Sequence, residues 1–169
     1  MAAGKYYAAT FRWSRMVWII SIITTLVLVG AGASVLCLPD VDSSWEPYLA
    51  MMLIVPLPII CFLCAPRRLY LIGNSLIVKR WLGRVTISTK DITSVSEADK
   101  WLVLRSTRLM GNGGYFGYYG LYNNRQYGKF KMFATETSNL YLIRTTRINF
   151  VISCTNKELI TELQKMIKQ

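Results

Sequence analysis

Residues 16–38 read MVWIISIITTLVLVGAGASVLCL, a run of 23 residues without a charged side chain. About 20 apolar helical residues cross the hydrocarbon core of a bilayer, so this run is long enough to span one. A second uncharged run, YLAMMLIVPLPIICFLCA at residues 48–65, has 18 residues and contains Pro56 and Pro58, which kink or interrupt a helix. Together the runs predict a membrane hairpin with transmembrane helices over 16–38 and 48–65.

The charges around the two runs predict their orientation in a bilayer. The connection between them is acidic and both outer flanks are basic: the acids are Asp40, Asp42 and Glu46, and the cations are Lys5, Arg12, Arg15, Arg67 and Arg68. Short segments rich in Lys and Arg remain on the cytoplasmic side of a membrane. The pattern therefore predicts a multi-pass membrane protein with both termini in the cytoplasm.

A cleaved signal peptide is an alternative interpretation of the first run. Ala31-Gly32-Ala33 offers a small-residue cleavage site after an apolar core. The apolar run continues past this site to Leu38, which favours a membrane helix. Under either interpretation, Arg67 and Arg68 keep the C-terminal side in the cytoplasm.

The rest of the chain suffices for one soluble domain. A membrane anchor over residues 1–68 leaves residues 69–169, about 100 residues, which can bury a core of their own. The positive charge is concentrated there: residues 67–169 carry 17 Lys and Arg against 6 Asp and Glu, whereas residues 1–66 carry three of each. Each cation that reaches an anionic leaflet contributes about 1 kcal/mol, but basic cytosolic domains are also ordinary in membrane proteins.

Short strands are predicted to follow the second apolar run. Gly73-Asn74 separates apolar segments and suits the two-residue turn of a type II′ hairpin. Period-two alternation and β-branched residues predict strands at 69–72, 75–80, 84–88, 94–98, 101–105, 128–134, 139–144 and 149–153. An amphipathic helix ends the chain, with Thr155 as its predicted N-cap and Glu158 as the reciprocal partner in a capping box.

The stretch MGNGGYFGYYGLY, residues 110–122, contains five glycines and five aromatic rings. Glycine permits positive φ and close approach of the backbone. The stretch fits a loop laid across the sheet, a bulged strand, or both. Its rings fit a binding loop and core packing equally well.

The order of about seven short strands and one C-terminal amphipathic helix resembles that of pleckstrin homology (PH) domains. Residues 69–168 are similar to the bacterial PH-like domains that follow one or two membrane spans, and the segments that carry the resemblance are 111–120, 128–135 and 150–153. The resemblance implies a PH-like β-barrel or sandwich capped by the helix. With the hairpin predicted from the two apolar runs, we expect an α+β protein: an N-terminal two-helix transmembrane hairpin in a bacterial inner (plasma) membrane, followed by this PH-like domain. In phosphoinositide-binding members a long first hairpin loop presents cations, whereas here that loop is only Gly73-Asn74, which argues against specific inositide recognition.

No residues for catalysis, a cofactor or a metal are predicted. The chain has no histidine, and its carboxylates form no recognisable catalytic pair. Cys61 and Cys64 have C-x-x-C spacing, but they lie in an apolar helix without a second pair of ligands, which is typical of apolar packing. We therefore expect a protein that is not an enzyme.

The leading hypothesis is a membrane-anchored binding or scaffold protein. It recognises a protein segment, or itself, at the cytoplasmic face of the membrane, with the candidate residues Asn112, Gly113, Gly114, Tyr115, Phe116, Tyr118 and Tyr119. The alternative is electrostatic binding of anionic lipid headgroups by Arg67, Arg68, Lys79, Arg80 and Arg84. Nucleic acid would use the same charge with aromatic stacking, but the membrane tether disfavours it.

Overall fold

The structure, a computed structural model that describes residues 6–36, 45–103 and 105–167, is α+β and contains ten strands and four α-helices within those ranges. The strands are β1 (Tyr6–Thr10), β2 (Pro66–Ile72), β3 (Ser75–Arg80), β4 (Arg84–Ser88), β5 (Ile92–Glu97), β6 (Thr107–Gly113), β7 (Tyr118–Asn124), β8 (Gly128–Ala134), β9 (Leu140–Thr145) and β10 (Asn149–Ser153). The α-helices are α1 (Arg15–Leu36), α2 (Glu46–Ile54), α3 (Pro56–Cys64) and α4 (Lys157–Ile167).

The strands form two separate sheets. One has the order β1-β2-β3-β4, and the other has the order β5-β9-β10-β8-β7-β6. All neighbours are antiparallel except β8 and β10, which run parallel. The described strands therefore make a sandwich-like arrangement and not the closed barrel that was the other form expected from the sequence.

The main core lies between the two sheets and under α4. Alternate residues of β2 and β3, such as Leu69, Leu71 and Val78, face inward and are almost fully buried. Leu159 and Leu163 of α4 join the same cluster, so the predicted apolar face of this helix covers the sheets. A second cluster lies on the opposite face of the six-stranded sheet and includes Val17 from α1.

The first apolar run forms the helix α1, and it is the one described helix long and apolar enough to cross a membrane. Only 11% of its most apolar window is buried. One broad face of the helix exposes large apolar side chains, among them Trp18, Ile23, Leu26 and Val27, whereas Val17 and Ser21 on the opposite face are buried. A core helix of a soluble domain would bury such residues, because their transfer from water is favourable. Cys37 and Leu38, the end of the predicted span, lie outside the described residues.

The prediction of a second transmembrane helix over 48–65 is wrong, whereas the interruption expected at Pro56 and Pro58 is present. The structure divides this run into α2 and α3, two helices of nine residues each that meet at Val55. Pro56 and Pro58 have no backbone N–H to donate, so the helical hydrogen bonding is interrupted there. The two-helix hairpin thus becomes one long helix followed by two short ones. Neither short helix can cross a hydrocarbon core by itself.

The N-terminal strand β1 was not predicted from the sequence. It pairs antiparallel with β2, with Tyr6 opposite Ile72 and Thr10 opposite Arg68. The boundary predicted at residue 68 therefore assigns β1 and the start of β2 to the anchor, although both belong to the four-stranded sheet. The helical segment of α1, α2 and α3 leaves this sheet from β1 and returns to it in β2.

Several local predictions are corrected by the structure. Residues 101–103 form turns and no strand, and their Leu102 and Val103 are buried against the second cluster. The N-cap of α4 is Asn156 and not Thr155: its Oδ1 accepts hydrogen bonds from the N–H groups of Glu158 and Leu159 at 3.0 and 3.4 Å. The turn at Gly73 is as predicted, with φ of +52° at the glycine between β2 and β3.

Candidate functional site: the root of the helical segment and the cationic face beside it

The glycine and aromatic stretch forms the β6–β7 hairpin and its loop, residues 114–117. Asn112 connects the hairpin internally: its Nδ2 donates to the Tyr115 carbonyl at 2.5 Å and to the Tyr119 hydroxyl at 2.9 Å. The Asn112 carbonyl accepts from the Tyr122 hydroxyl. The stretch is therefore a bulged strand with a tight loop, which was one of the forms expected.

Gly111 and Gly120 pair directly across this hairpin. Both have positive φ, +118° and +128°, and a Cβ on either would lie 2.2 Å from a carbonyl oxygen of the opposite strand. Only glycine permits this approach, which explains two of the five glycines in the stretch.

The loop of the hairpin packs against α1. The Phe116 N–H donates to Ser21 Oγ at 2.9 Å, and the hydroxyls of Tyr115 and Thr25 lie 3.1 Å apart. Phe116 has φ of +59°, a left-handed conformation that is costly for a bulky residue. Such strain persists because the contacts around the residue impose it, and here those contacts are the hydrogen bond to Ser21 and the rings of Trp13 and Phe62.

The start of α1 is also joined to the sheet. The Ser14 N–H donates to the Thr135 carbonyl at 2.9 Å, and the Thr135 hydroxyl donates to the Arg12 carbonyl at 2.8 Å. Ser14 Oγ accepts from the Val17 N–H at 3.3 Å and caps the helix. The helix therefore leaves the domain from a fixed point at the end of β8.

The C-terminal end of α3 is capped by the β-domain at two points. The Tyr119 hydroxyl donates to the Cys61 carbonyl at 2.6 Å, and the Leu82 N–H donates to the Leu63 carbonyl at 2.9 Å. The last four carbonyls of a helix have no partner within it, so these two bonds satisfy groups that would otherwise need water. The rings of Trp13, Phe62 and Phe116, which come from three different segments of the chain, pack against one another.

Most of the residues predicted to bind a partner are thus buried or make contacts within the chain itself. Gly114, Tyr115, Tyr118 and Tyr119 are buried, Asn112 and Phe116 are partly buried, and Gly113 is exposed. Burial raises the pKa of Tyr119, and it raises the pKa of Tyr122 to about 12. Both phenols therefore stay neutral near pH 7 and act as hydrogen-bond donors. Recognition of a separate partner by this stretch stays a prediction.

The predicted lipid-contact residues come together on the outer face of the four-stranded sheet. Arg68 of β2 is paired with Lys79 of β3, and Lys79 is paired with Arg84 of β4. These three exposed cations, here called the cationic row, cross three adjacent strands. Like charges directly opposite each other destabilise a sheet, and neither ion pair found in the described parts of the chain includes any of the three.

Arg67 and Arg80 lie beside the cationic row. The guanidinium of Arg67 sits 3.9 Å from the centroid of the Trp81 ring. Arg80 Nε is buried without a hydrogen-bond partner among the described residues. Tyr70 lies next to the row, and its phenol reports the positive electrostatic potential there. A hydrogen bond from Arg68, together with the nearby positive charges, lowers the pKa of this phenol.

Strand β6 is a free edge of the six-stranded sheet. Its residues are almost all exposed, including Leu109 at 49% and Met110 at 75%. At its far end, Arg105 and Arg125 line a polar cleft of about 440 Å³. The sequence analysis included residues 110–113 of this strand in the glycine and aromatic stretch, but it did not recognise Thr107–Leu109 as the start of an edge strand.

In the described ranges no three His, Cys, Asp or Glu side chains lie close enough to share a metal ion. Cys61 and Cys64 belong to α3, and Cys154 is buried near the start of α4. The expectation of no metal and no cofactor stays a prediction.

Two packed sheets closed by a C-terminal amphipathic helix define a PH-like domain. A family model described as bacterial PH domain matches residues 67–167, more than half of the chain, and the chain belongs to that family. No curated protein and no solved structure gives a match. The family suggests a binding or scaffold role, and the PH-like fold by itself names neither a ligand nor a partner.

Proposed function

We propose that this chain is a non-enzymatic, membrane-anchored PH-like scaffold protein that captures an extended protein segment at the β6 edge. In this proposal α1, α2 and α3 lie in a bacterial inner membrane, and the PH-like domain lies on the cytoplasmic face with both termini. The observation that carries the anchor is the large apolar surface of the helices, which no other described part of the chain covers.

That surface supports a lipid environment. Side chains of α2 and α3, such as Met52, Leu57 and Ile60, are exposed like those of α1. Monomeric soluble proteins rarely present contiguous apolar patches above a few hundred Å². A bilayer removes this surface from water without a partner protein.

The sheet supports the orientation. Because β1 and β2 are hydrogen-bonded neighbours, the chain leaves and re-enters the domain on one side of any membrane that α1 crosses. Asn156, next to α4, approaches the Ala8 carbonyl, so the C-terminal helix lies on that side too. The basic flanks favour the cytoplasmic side.

The β6 edge supports capture of a strand. Of the four sheet edges, α4 contacts β1 and β5, and Gln164 donates to the Val95 carbonyl of β5 at 3.1 Å. Along β6, exposed Leu109 and Met110 offer apolar contacts. In the cleft at the end of this strand Arg105 is paired with Asp99 at 3.4 Å, and Arg125 is the cation that favours an acidic side chain. We therefore expect a segment with apolar and acidic residues, added as a further strand.

The anchor is tested with charge substitutions on exposed positions. In Leu26→Arg with Val27→Arg, each arginine costs about 2.5–3.5 kcal/mol at the centre of a membrane helix, so the variant should leave the carbonate-resistant membrane fraction. Leu109→Arg, at an exposed apolar site on β6, should stay in it. Retention of the double variant, or recovery of the wild-type chain as a soluble protein, would contradict the anchor.

The capture site is tested by photocrosslinking in cells. A photoreactive residue at Met110 should give a discrete adduct, whereas the same residue at Lys129, exposed on the central strand β8, should not. Adducts formed only between copies of the chain would replace partner capture with self-association. Equal labelling from both positions would reject the edge as a site.

A further inference from the structure

The turn between β3 and β4, residues 80–84, has an exposed apolar tip. Trp81 is 53% exposed and Leu82 is 60% exposed, although the residues are large and adjacent. Arg80 and Arg84 flank the tip. Apolar rings beside cations are typical of segments that lie at the boundary between lipid tails and headgroups.

The position of this turn is fixed at the root of the helical segment. The Leu82 N–H donates to the Leu63 carbonyl at the end of α3, and the rings of Trp81 and Phe62 are 6.3 Å apart. Arg67, three residues after α3, places its guanidinium over the Trp81 ring. If α3 ends in the bilayer, the turn therefore lies at the membrane surface.

The cationic row lies just below the turn. Arg68 is three strand residues beyond Ala65, which corresponds to about 10 Å from the end of α3. At this distance from the end of α3, the row lies in the headgroup layer or within about one Debye length of it. The three cations of the row would then lie at the same depth, next to the anionic headgroups of the leaflet.

A groove joins the turn to the row. It has a volume of about 480 Å³, and its lining contains three cations and three large apolar side chains but no carboxylate; the lining includes Tyr70, Ile77, Lys79, Arg80, Trp81 and Arg84. Arg80 lines this groove, and its Nε is buried without a hydrogen-bond partner in the described chain. The electrostatic cost of the row is offset when phosphates lie between its cations.

We infer that the 80–84 turn and the cationic row form a second membrane contact, in which Trp81 and Leu82 enter the interface and Arg68, Lys79, Arg80 and Arg84 bind anionic lipid headgroups. This inference rests on the proposed anchor. It gives the PH-like domain a fixed tilt on the membrane, because the helical root and the outer face of the four-stranded sheet touch the same leaflet. The β6 edge, on the other sheet, stays open.

The test uses the full chain in vesicles and compares lipid retention. The purified chain is reconstituted in vesicles of equal parts phosphatidylcholine and phosphatidylglycerol, extracted, and weighed by native mass spectrometry with its bound lipids. We expect phosphatidylglycerol to be enriched. In Lys79→Gln with Arg84→Gln, the enrichment should fall about fivefold for each cation removed.

Two controls show whether the lipid enrichment depends on the charges at this site, and a measurement of thermal unfolding shows whether the variant is still folded. Lys129→Gln with Lys131→Gln removes the same charge from exposed positions of β8 and should leave the enrichment unchanged. Lys79→Arg with Arg84→Lys keeps the charge and should keep the enrichment. The Gln variant should unfold at the wild-type temperature or above, because it removes a like-charge contact.

The outcomes distinguish this inference from the anchor. Loss of the wild-type chain from vesicles of phosphatidylcholine alone would overturn the anchor, and with it the inference. A chain that stays in those vesicles but retains both lipids equally would overturn the inference only. An equal loss of enrichment in the β8 control would show that net charge, not this surface, selects the lipid.

Discussion

The hydroxyl of Tyr119, in β7, donates a 2.6 Å hydrogen bond to the carbonyl of Cys61, in the last turn of α3. The same hydroxyl accepts a hydrogen bond from Asn112 at 2.9 Å. One side chain therefore joins the interior of the β6–β7 hairpin to the helical segment. Its oxygen couples α3 to the hairpin, beside the bonds that Tyr115 and Phe116 make with α1.

Tyr119→Phe should destabilise the folded chain by about 1–3 kcal/mol, because Cys61 and Asn112 lose a buried partner while the ring is kept. Thermal unfolding of the full chain in detergent measures the effect. Tyr127→Phe is the matched control, since the structure gives the Tyr127 hydroxyl no hydrogen bond in the described residues. Equal melting temperatures for the two variants would contradict the coupling.

Gly111→Ala should prevent the β6–β7 hairpin from closing, since its Cβ would lie 2.2 Å from the Tyr119 carbonyl oxygen. Gly128→Ala is a strict control: Gly128 also has positive φ, +68°, but open space around it. We expect a cost of about 1 kcal/mol for Gly128→Ala from the conformation alone and a clearly larger loss for Gly111→Ala. If denaturant unfolding shows similar losses of stability for the two variants, the positive φ, and not the close approach of the strands, is the reason that glycine is required at position 111.

Tyr7→Ala should reduce stability more than Tyr6→Ala, because Tyr7 packs on the main core whereas Tyr6 is 61% exposed on the outer face. A partly buried aromatic side chain contributes about 2–3 kcal/mol, and an exposed one contributes little. Hydrogen exchange of β2 gives a local measurement, since β1 protects that strand. If both variants leave β2 equally protected, β1 is not part of the sheet in solution.

Asn156→Ala should cost about 1 kcal/mol, the usual effect of removing an N-cap. Thr155→Ala should cost less, because the Thr155 hydroxyl makes one exposed contact with Glu136 at 3.3 Å. The two melting temperatures decide between the observed cap and the capping box predicted from the sequence. A larger effect at Thr155 would favour the latter.

The sequence predicted the elements whose local pattern agrees with their environment. A helix in the first apolar run, the Gly73 hairpin, the alternating strand at 84–88 and the amphipathic face of α4 were confirmed, and the family match supports the PH-like domain. Each of these elements has a hydrophobic periodicity or a turn residue that can be recognised within its own segment of the sequence. In the run over 48–65 the interruption expected from Pro56 and Pro58 is present, but it leaves two helices of nine residues, so the second transmembrane helix predicted from the composition of the run is not formed.

The relations between distant segments could not be predicted in this way. Tyr6–Thr10 has no alternation that marks it as a strand, and it becomes one because the edge of β2 lies beside it. The rings of residues 115–119 satisfied two interpretations, and only their contacts with Ser21, Thr25 and Cys61 place them at the root of the helices. Of the candidate sites, the cations were found by composition, but the registry that aligns Arg68, Lys79 and Arg84 was not.

The pairing of β1 with β2 also constrains how the chain is made. The ribosome synthesises β1 first, but its partner emerges only after residues 11–65 have been produced. The four-stranded sheet therefore cannot be completed before the whole helical segment between its first two strands has been synthesised. Closure of the sheet marks, for each newly made molecule, that the apolar helices have already left the ribosome.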